Sequence, residues 1–360
     1  MAELERVPPG EAQQIESVIK LTLAQMKRRY ADKTMLRGVH PKDHGCVTAT
    51  FRVNDKLPPE LQVGVFAKPG KQYDAVVRYS NASVLVAPDA IGSRGMAVKL
   101  RGVPGKPLIP GTEAGVQDFL MVNHPVFAIA NVEDYEVLSR ILLEDNDSPN
   151  RFFAERIKRT ADGKPDFSDP ATVRAVRTFT IAQRLQAELL PQAFQLPPGC
   201  PMDNRYFAGA PFAFGEGKVM KFGASPTGHQ PIVPEKTDPN YLRAGLKACL
   251  MAMGAKEAVF NFQVQVRDAA ELADKIDKEI EDATFEWDEQ KFPYVNVATI
   301  TIPPQDFETE QQRTMCESLR YSPWHGITEH RPLGGINRMR LGVYQASGDI
   351  RNAGGAKAKA

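Results

Sequence analysis

The sequence predicts an α+β protein, a large antiparallel sheet of barrel type dressed with helices. Three observations predict it. Apolar residues recur at every second position in short runs between residues 46 and 100, and turn signals (Asn54-Asp55, Lys68-Pro69-Gly70, Pro88-Asp89) separate the runs. Period-two runs return at 206–222, 258–266 and 294–302 after a long interval in which the period is helical. No self-similarity of 20 to 50 residues is present, which excludes solenoids and propellers.

The elements follow in order. Residues 11–31 carry a helical stripe (Ile15, Val18, Ile19, Leu21, Leu23, Met26) that ends in basic residues. Val47, Ala49, Phe51 and Val53 alternate as one strand, Ala75 to Ser80 as a second and Gly95 to Leu100 as a third. Residues 118–129 give another apolar, strand-like run. Helical patterns fill 134–190, with an acidic, proline-bearing break at 144–150, and two amphipathic stretches lie at 240–253 and 268–280. After Pro303-Pro304 the chain is irregular until a helical pattern over 335–351, and residues 353–360 read as a flexible tail.

The 360 residues carry 45 Lys+Arg against 44 Asp+Glu, a formal charge of +1, which argues against a nucleic-acid partner. No run reaches the ~18 apolar residues that span a bilayer, and the N-terminus has no basic start followed by an apolar stretch, so neither an integral membrane protein nor a secretory leader is expected. Cys46, Cys200, Cys249 and Cys316 lack the paired spacing of a zinc site or a small disulfide framework. They read as reduced thiols in a cytoplasmic protein.

Four segments could carry chemistry. Arg37-Gly38-Val39-His40-Pro41 stands directly before the first strand. His40 and His44 have the spacing of two metal ligands on a helix, but Pro41 and Gly45 oppose a helix there, no third ligand lies nearby, and composition alone favours a histidine packed at a strand start. Arg340, Tyr344, Ser347 and Arg351 share one helix face. An arginine one turn from a tyrosine favours the phenolate, which can ligate ferric haem iron, whereas solvated arginines on an amphipathic helix would look the same. The remaining two are Arg78-Tyr79-Ser80-Asn81 with Arg94-Gly95-Met96-Ala97-Val98-Lys99, and Asn123-His124-Pro125-Val126-Phe127. Neither is specific alone.

Their order is. From about Arg37 to Arg351 the sequence resembles the catalase family: Arg37-Gly38-Val39-His40 is similar to its distal-histidine motif, Val77-Arg78-Tyr79-Ser80 to Val-Arg-Phe-Ser, and Arg94 to Lys99 to Arg-Gly-Phe-Ala-Val-Lys. Asn123 to Phe127 resembles the segment of the distal asparagine, and Arg340 to Tyr344 the proximal Arg-x-x-x-Tyr, with Arg351 seven residues on. The resemblance is sparse from about residue 134 to 304. It implies a catalase-like antiparallel barrel with a C-terminal proximal helix, a haem b cofactor and Tyr344 as iron ligand beside Arg340. It implies His40 as distal acid and base, Ser80 as its tautomer-fixing partner, Asn123 as a hydrogen-bond donor to peroxide, and Arg37, Arg78 and Arg351 as partners of the haem propionates. Phe127 would stack near the haem edge and Val39 would line the site. The domain expected is 1–352, with a helical arm at 1–35, the barrel with helical insertions at 36–303 and a wrapping segment with the proximal helix at 304–352.

Within the family the chain is most similar to small bacterial catalase-related proteins, a likeness that His330-Arg331-Pro332-Leu333-Gly334-Gly335 extends. His124 stands where threonine is common. Val39, in place of the threonine of allene oxide synthases, points to peroxide reduction. The expected activity is reduction of hydrogen peroxide or organic hydroperoxides with an external reductant, the shorter chain leaving an open channel. Fatty-acid hydroperoxide metabolism (allene oxide synthase, lyase or dioxygenase type) and a non-catalytic haem- or lipid-binding role are the alternatives. The resemblance allows a homo-oligomer, although the short arm speaks against an interlaced tetramer.

Overall fold

Nine strands, all paired antiparallel, make one sheet in a computed structural model that describes residues 4–81, 89, 93–189, 199–228, 238, 240–252 and 256–357. They are β1 (Lys42–Val53), β2 (Gln72–Asn81), β3 (Arg94–Arg101), β4 (Val116–Val122), β5 (Tyr206–Phe207), β6 (Phe212–Ala213), β7 (Lys218–Thr227), β8 (Ala258–Asp268) and β9 (Val295–Ile302). Their order is β5-β4-β3-β2-β1-β9-β8-β7-β6, and a further β5–β7 pairing closes the ring. With β6 hanging on β7 outside it, the ring is an eight-stranded antiparallel barrel.

Alternation along the strands sorts the barrel's two faces. Val77, Tyr79, Met96, Val98, Phe119 and Met121 point inward into a core filled by phenylalanines, with Phe51–Phe262 at 5.1 Å, Phe119–Phe262 at 4.7 Å and Phe119–Phe222 at 4.9 Å between ring centroids. The barrel interior is therefore solid, and a ligand must bind outside it. The outward positions of β2, β3 and β4 form cross-strand rungs, Ser80–Gly95–Val122, Arg78–Ala97–Leu120 and Val76–Lys99–Asp118. The third rung holds a buried ion pair, Lys99 Nζ to Asp118 Oδ1 at 2.7 Å. The other Asp118 oxygen accepts from Ser322 N–H (3.0 Å) and faces His325 Nδ1 (2.9 Å), which pins the segment after residue 318 to the barrel wall.

Helices cover that wall. Among the described residues they are α1 (Glu11–Arg29), α2 (Val132–Glu144), α3 (Asn150–Arg156), α4 (Pro170–Leu189), α5 (Tyr241–Ala252), α6 (Ala269–Leu272), α7 (Ile276–Glu279), α8 (Glu310–Ser318) and α9 (Gly335–Lys357). Asn131 caps α2 by accepting from Asp134 N–H, and the Asp134 carboxylate binds Arg156 of α3 and Arg174 of α4. One guanidinium, Arg338, gathers Glu5 (2.7 Å), Glu11 (2.6 Å) and Glu281 (2.8 Å), fixing the start of α9 against α1. Gly342 lets the two helices approach, since a Cβ there would stand 2.6 Å from Ile19 Cδ1.

The structure departs from the sequence reading in places with evident causes. The run 118–129 stops as a strand at Val122, because Pro125 cannot donate to a ladder. The run 206–222 is cut into β5, β6 and β7 by Gly209, Pro211 and the positive-φ Gly215 and Gly217. The stretch 268–280 gives two single-turn helices. The last helix runs on to Lys357, into the stretch read as tail, and residues 358–360 lie outside those described. The cysteines are corrected outright: Cys46 pairs with Cys316 and Cys200 with Cys249 as disulfides, their Cα atoms 5.8 and 6.6 Å apart. Sequence separations of 270 and 49 residues hide such pairs from spacing arguments. Among the described residues no helix is long and apolar enough to cross a membrane.

Candidate functional site

A cavity of about 420 Å³, a size ordinary for a bound organic ligand, lies between the outward rungs of β2–β4 and helix α9. Its floor is the pair of small residues Gly95 and Ala97, flanked by Ser80 and Arg78 on β2 and by Val122 and Leu120 on β4. Tyr344, Arg340, Ser347 and Arg351 line it from α9, and Arg37, Val39 and His40 from the segment before β1. Phe127 and Tyr135 add aromatic walls, their ring centroids 6.1 Å apart.

His40 occupies the left-handed backbone region, φ 49°, at the entry to β1. Its Nδ1 lies 3.1 Å from Ser80 Oγ, and its carbonyl accepts from Arg78 Nη2 at 3.0 Å. Gly95 makes room for the ring, because a Cβ would fall 2.5 Å from Nδ1. His40 is half-buried and lines the cavity. Burial, reinforced by the positive charges of Arg78 and Arg340, lowers its pKa to about 3, so the ring is neutral. His44 turns elsewhere, to Asn81 Oδ1 at 2.9 Å, so the two histidines form no ligand pair.

Burial also lowers the pKa of His44 and of His330 to about 4. In the unfolded chain all three would titrate near 6.5. Unfolding below that pH therefore takes up protons, so stability falls as pH drops from about 6.5 toward 4, at up to about 1.4 kcal/mol per pH unit for each group. The urea midpoint of the cofactor-free protein should be level above pH 6.5 and decline steadily below it. A constant midpoint from pH 7 to pH 4.5 would contradict the neutral burial of these rings.

On α9, Arg340 Nη1 donates to Asn337 Oδ1 at 3.0 Å, and Asn337 Nδ2 in turn donates to the carbonyls of Pro211 and Leu333, each at 3.0 Å. This chain aims the guanidinium at Tyr344, with Nη2 a long 3.5 Å from the phenol oxygen and Cζ 5.4 Å from the ring centroid. Ser347 Oγ accepts from Gly38 N–H at 3.2 Å and ties the proximal helix to the distal segment. Burial pushes the neighbouring Tyr135 phenol up to about 12.

The other arginines gather beside the segment 319–321. Arg37 donates Nη1 to both Glu317 oxygens at 2.9 Å, and Nη2 to the carbonyls of Cys316 (2.8 Å) and Leu319 (3.1 Å). Arg351 Nη2 also donates to Leu319 O (3.0 Å), but its buried Nη1 has no partner. Burial and the Arg37 charge lower the Arg351 pKa to about 10. Arg340 Nε is likewise buried without a hydrogen bond, whereas Arg78 Nε pairs with Asp43 Oδ1 at 3.3 Å. Unmet buried donors beside a cavity are what an anionic ligand would satisfy.

The structure thus brings Arg37, Val39, His40, Arg78, Ser80, Phe127, Arg340, Tyr344 and Arg351 to one cavity. Asn123 is not on its wall: the side-chain oxygen accepts from Arg94 N–H at 2.8 Å, and His124 lines the cavity instead. The chain bends after Val122, where β4 ends, and this bend sets Asn123 against β3 and His124 on the cavity. His124, Tyr135 and the Gly95 clearance were not picked out as site features from sequence.

No family model matches the sequence, and no curated protein matches it. Solved structures do. A fungal catalase matches with a TM-score of 0.64 at 16% identity, over 92% of this chain and 61% of that one. Catalase A from Saccharomyces cerevisiae matches with 0.63 at 16%, over 92% and 63%, and a bacterial catalase with 0.58 at 17%, over 91% and 59%. The chain has the catalase fold and spans about three-fifths of the length of these proteins.

Proposed function

We propose that this chain is a haem-dependent peroxidase of catalase type that reduces hydrogen peroxide and organic hydroperoxides, drawing electrons from an external reductant. One observation carries the reading: Tyr344 with Arg340, and His40 with Ser80, come from opposite ends of the sequence to face one cavity. The residues fit a b-type haem. Tyr344 Oη would ligate the iron, with the Arg340 charge beside it. Arg351 offers an unmet donor to a propionate, Arg78 adds a second positive charge on the same cavity, and Arg37 shares the Leu319 carbonyl with Arg351. Val39, Phe127 and Val343 supply apolar contact. When bound, ferric haem would supply the redox centre that O–O cleavage requires.

The chain's own part is proton handling and orientation. In the tautomer that donates Nδ1–H to Ser80 Oγ, His40 presents Nε2 as the free base. A neutral ring at Nε2 can take the hydroperoxide proton and return it to the departing oxygen, so the oxygen leaves as water or alcohol. Gly95 beneath the ring and the Arg78 bond to the His40 carbonyl hold that geometry. The wall of Val126, Ile129, Leu138 and Ile181 is apolar, which favours organic hydroperoxides. Haem-loaded protein should therefore oxidise a phenolic dye with tert-butyl hydroperoxide, leaving an alcohol. Absence of dye oxidation with either peroxide would overturn the reading, and an epoxide or aldehyde from a fatty-acid hydroperoxide would move it to isomerisation or cleavage.

A further inference from the structure

The Cys46–Cys316 bridge touches the arginine cluster at both ends. It joins β1 to α8, with the two cysteines 2% and 3% exposed beside Val76 and Leu319. Cys46 stands directly across the β1–β2 ladder from Arg78. The Cys316 carbonyl receives Arg37, the next residue is its ion-pair partner Glu317, and Leu319 just beyond receives both Arg37 and Arg351. Helix α8 is nine residues long and buries only Cys316, so the bridge is its covalent anchor to β1, beside the Gln312 bond to the Cys46 carbonyl and the Arg37–Glu317 pair. Its C-terminal carbonyls are nevertheless what orient Arg37 and Arg351 toward the cavity.

We propose that this bridge is the positioning element of the carboxylate-binding arginines, so that affinity for a porphyrin dicarboxylate depends on the redox state of Cys46 and Cys316. The inference rests on the haem reading of the site. A dithiol reductant breaks the S–S bond by passing two electrons and two protons to the cysteines, leaving two thiols here and a cyclic disulfide in the reagent. In the reverse direction two thiols and one hydroperoxide give the disulfide, an alcohol and water. The oxidant is then of the same class as the substrate.

The test compares haem with its dimethyl ester, which lacks both carboxylates. Each is titrated into oxidised protein, dithiothreitol-reduced protein and the Cys46→Ala/Cys316→Ala variant, with Cys200→Ala/Cys249→Ala as control. Loss of the bridge should weaken haem binding about tenfold, the loss of one charge-assisted hydrogen bond, and leave the ester unchanged. The control should bind both as the oxidised protein does. An equal loss for haem and ester would mean a merely structural bridge, and no loss would mean no role; either overturns the proposal. Should the variant fail to fold, dithiol reduction of the Cys200→Ala/Cys249→Ala protein, which keeps only the Cys46–Cys316 bridge, gives the comparison. Oxidised protein that binds neither porphyrin removes the haem reading and this proposal together.

Discussion

Tyr344→Phe is expected to abolish peroxide turnover while leaving the fold intact. Phenylalanine keeps the ring that packs between Arg340 and the cavity, and Arg340 keeps its bond to Asn337. What disappears is one oxygen, 3.5 Å from a guanidinium, the proposed iron ligand. Altering a partner of a metal ligand commonly costs 10–100-fold, so loss of the ligand itself should lower turnover by more than about a hundredfold. Haem content should also fall, and the ferric spectrum should change. Turnover within a few-fold of the parent, with an unaltered spectrum, would place the ligand elsewhere.

His40→Asn is the second large effect, with the opposite signature. Asparagine tolerates the left-handed backbone that His40 adopts (φ 49°), so the entry to β1 should survive the change better than with alanine. It cannot cycle a proton as an imidazole does. Turnover should fall by about 10²–10⁴, the usual contribution of a positioned acid–base group, with haem stoichiometry unchanged. Full activity in both His40→Asn and His40→Ala would remove this residue from the chemistry, whereas loss of haem in parallel would make its role structural.

Much of this was legible in the sequence. Period-two runs placed β1, β2, β3, β8 and β9 within a few residues, because their inward positions feed one solid core and alternation follows from that. The α9 face was readable from the spacing of Arg340, Tyr344, Ser347 and Arg351, and the structure puts all four on the cavity. The splitting of 206–222 was less legible, since it depends on positive-φ glycines that pattern alone weighs lightly. The placement of Asn123 beside the Arg94 amide, with His124 on the cavity, follows from a bend after Val122 that the motif does not display. The arginine roles were readable only in outline. That the donors of Arg37 already have partners in Glu317 and two carbonyls, while Arg351 keeps one unmet, rests on contacts between Arg37 and a segment about 280 residues away, which no local pattern displays.

The most direct measurement of the central claim is a haem titration of the cofactor-free protein, followed by absorption spectroscopy and haem quantitation. The protein should take up one haem per chain and give a ferric, phenolate-ligated spectrum that His40→Asn preserves and Tyr344→Phe abolishes. No stoichiometric haem uptake, or a spectrum indifferent to Tyr344→Phe, would contradict it.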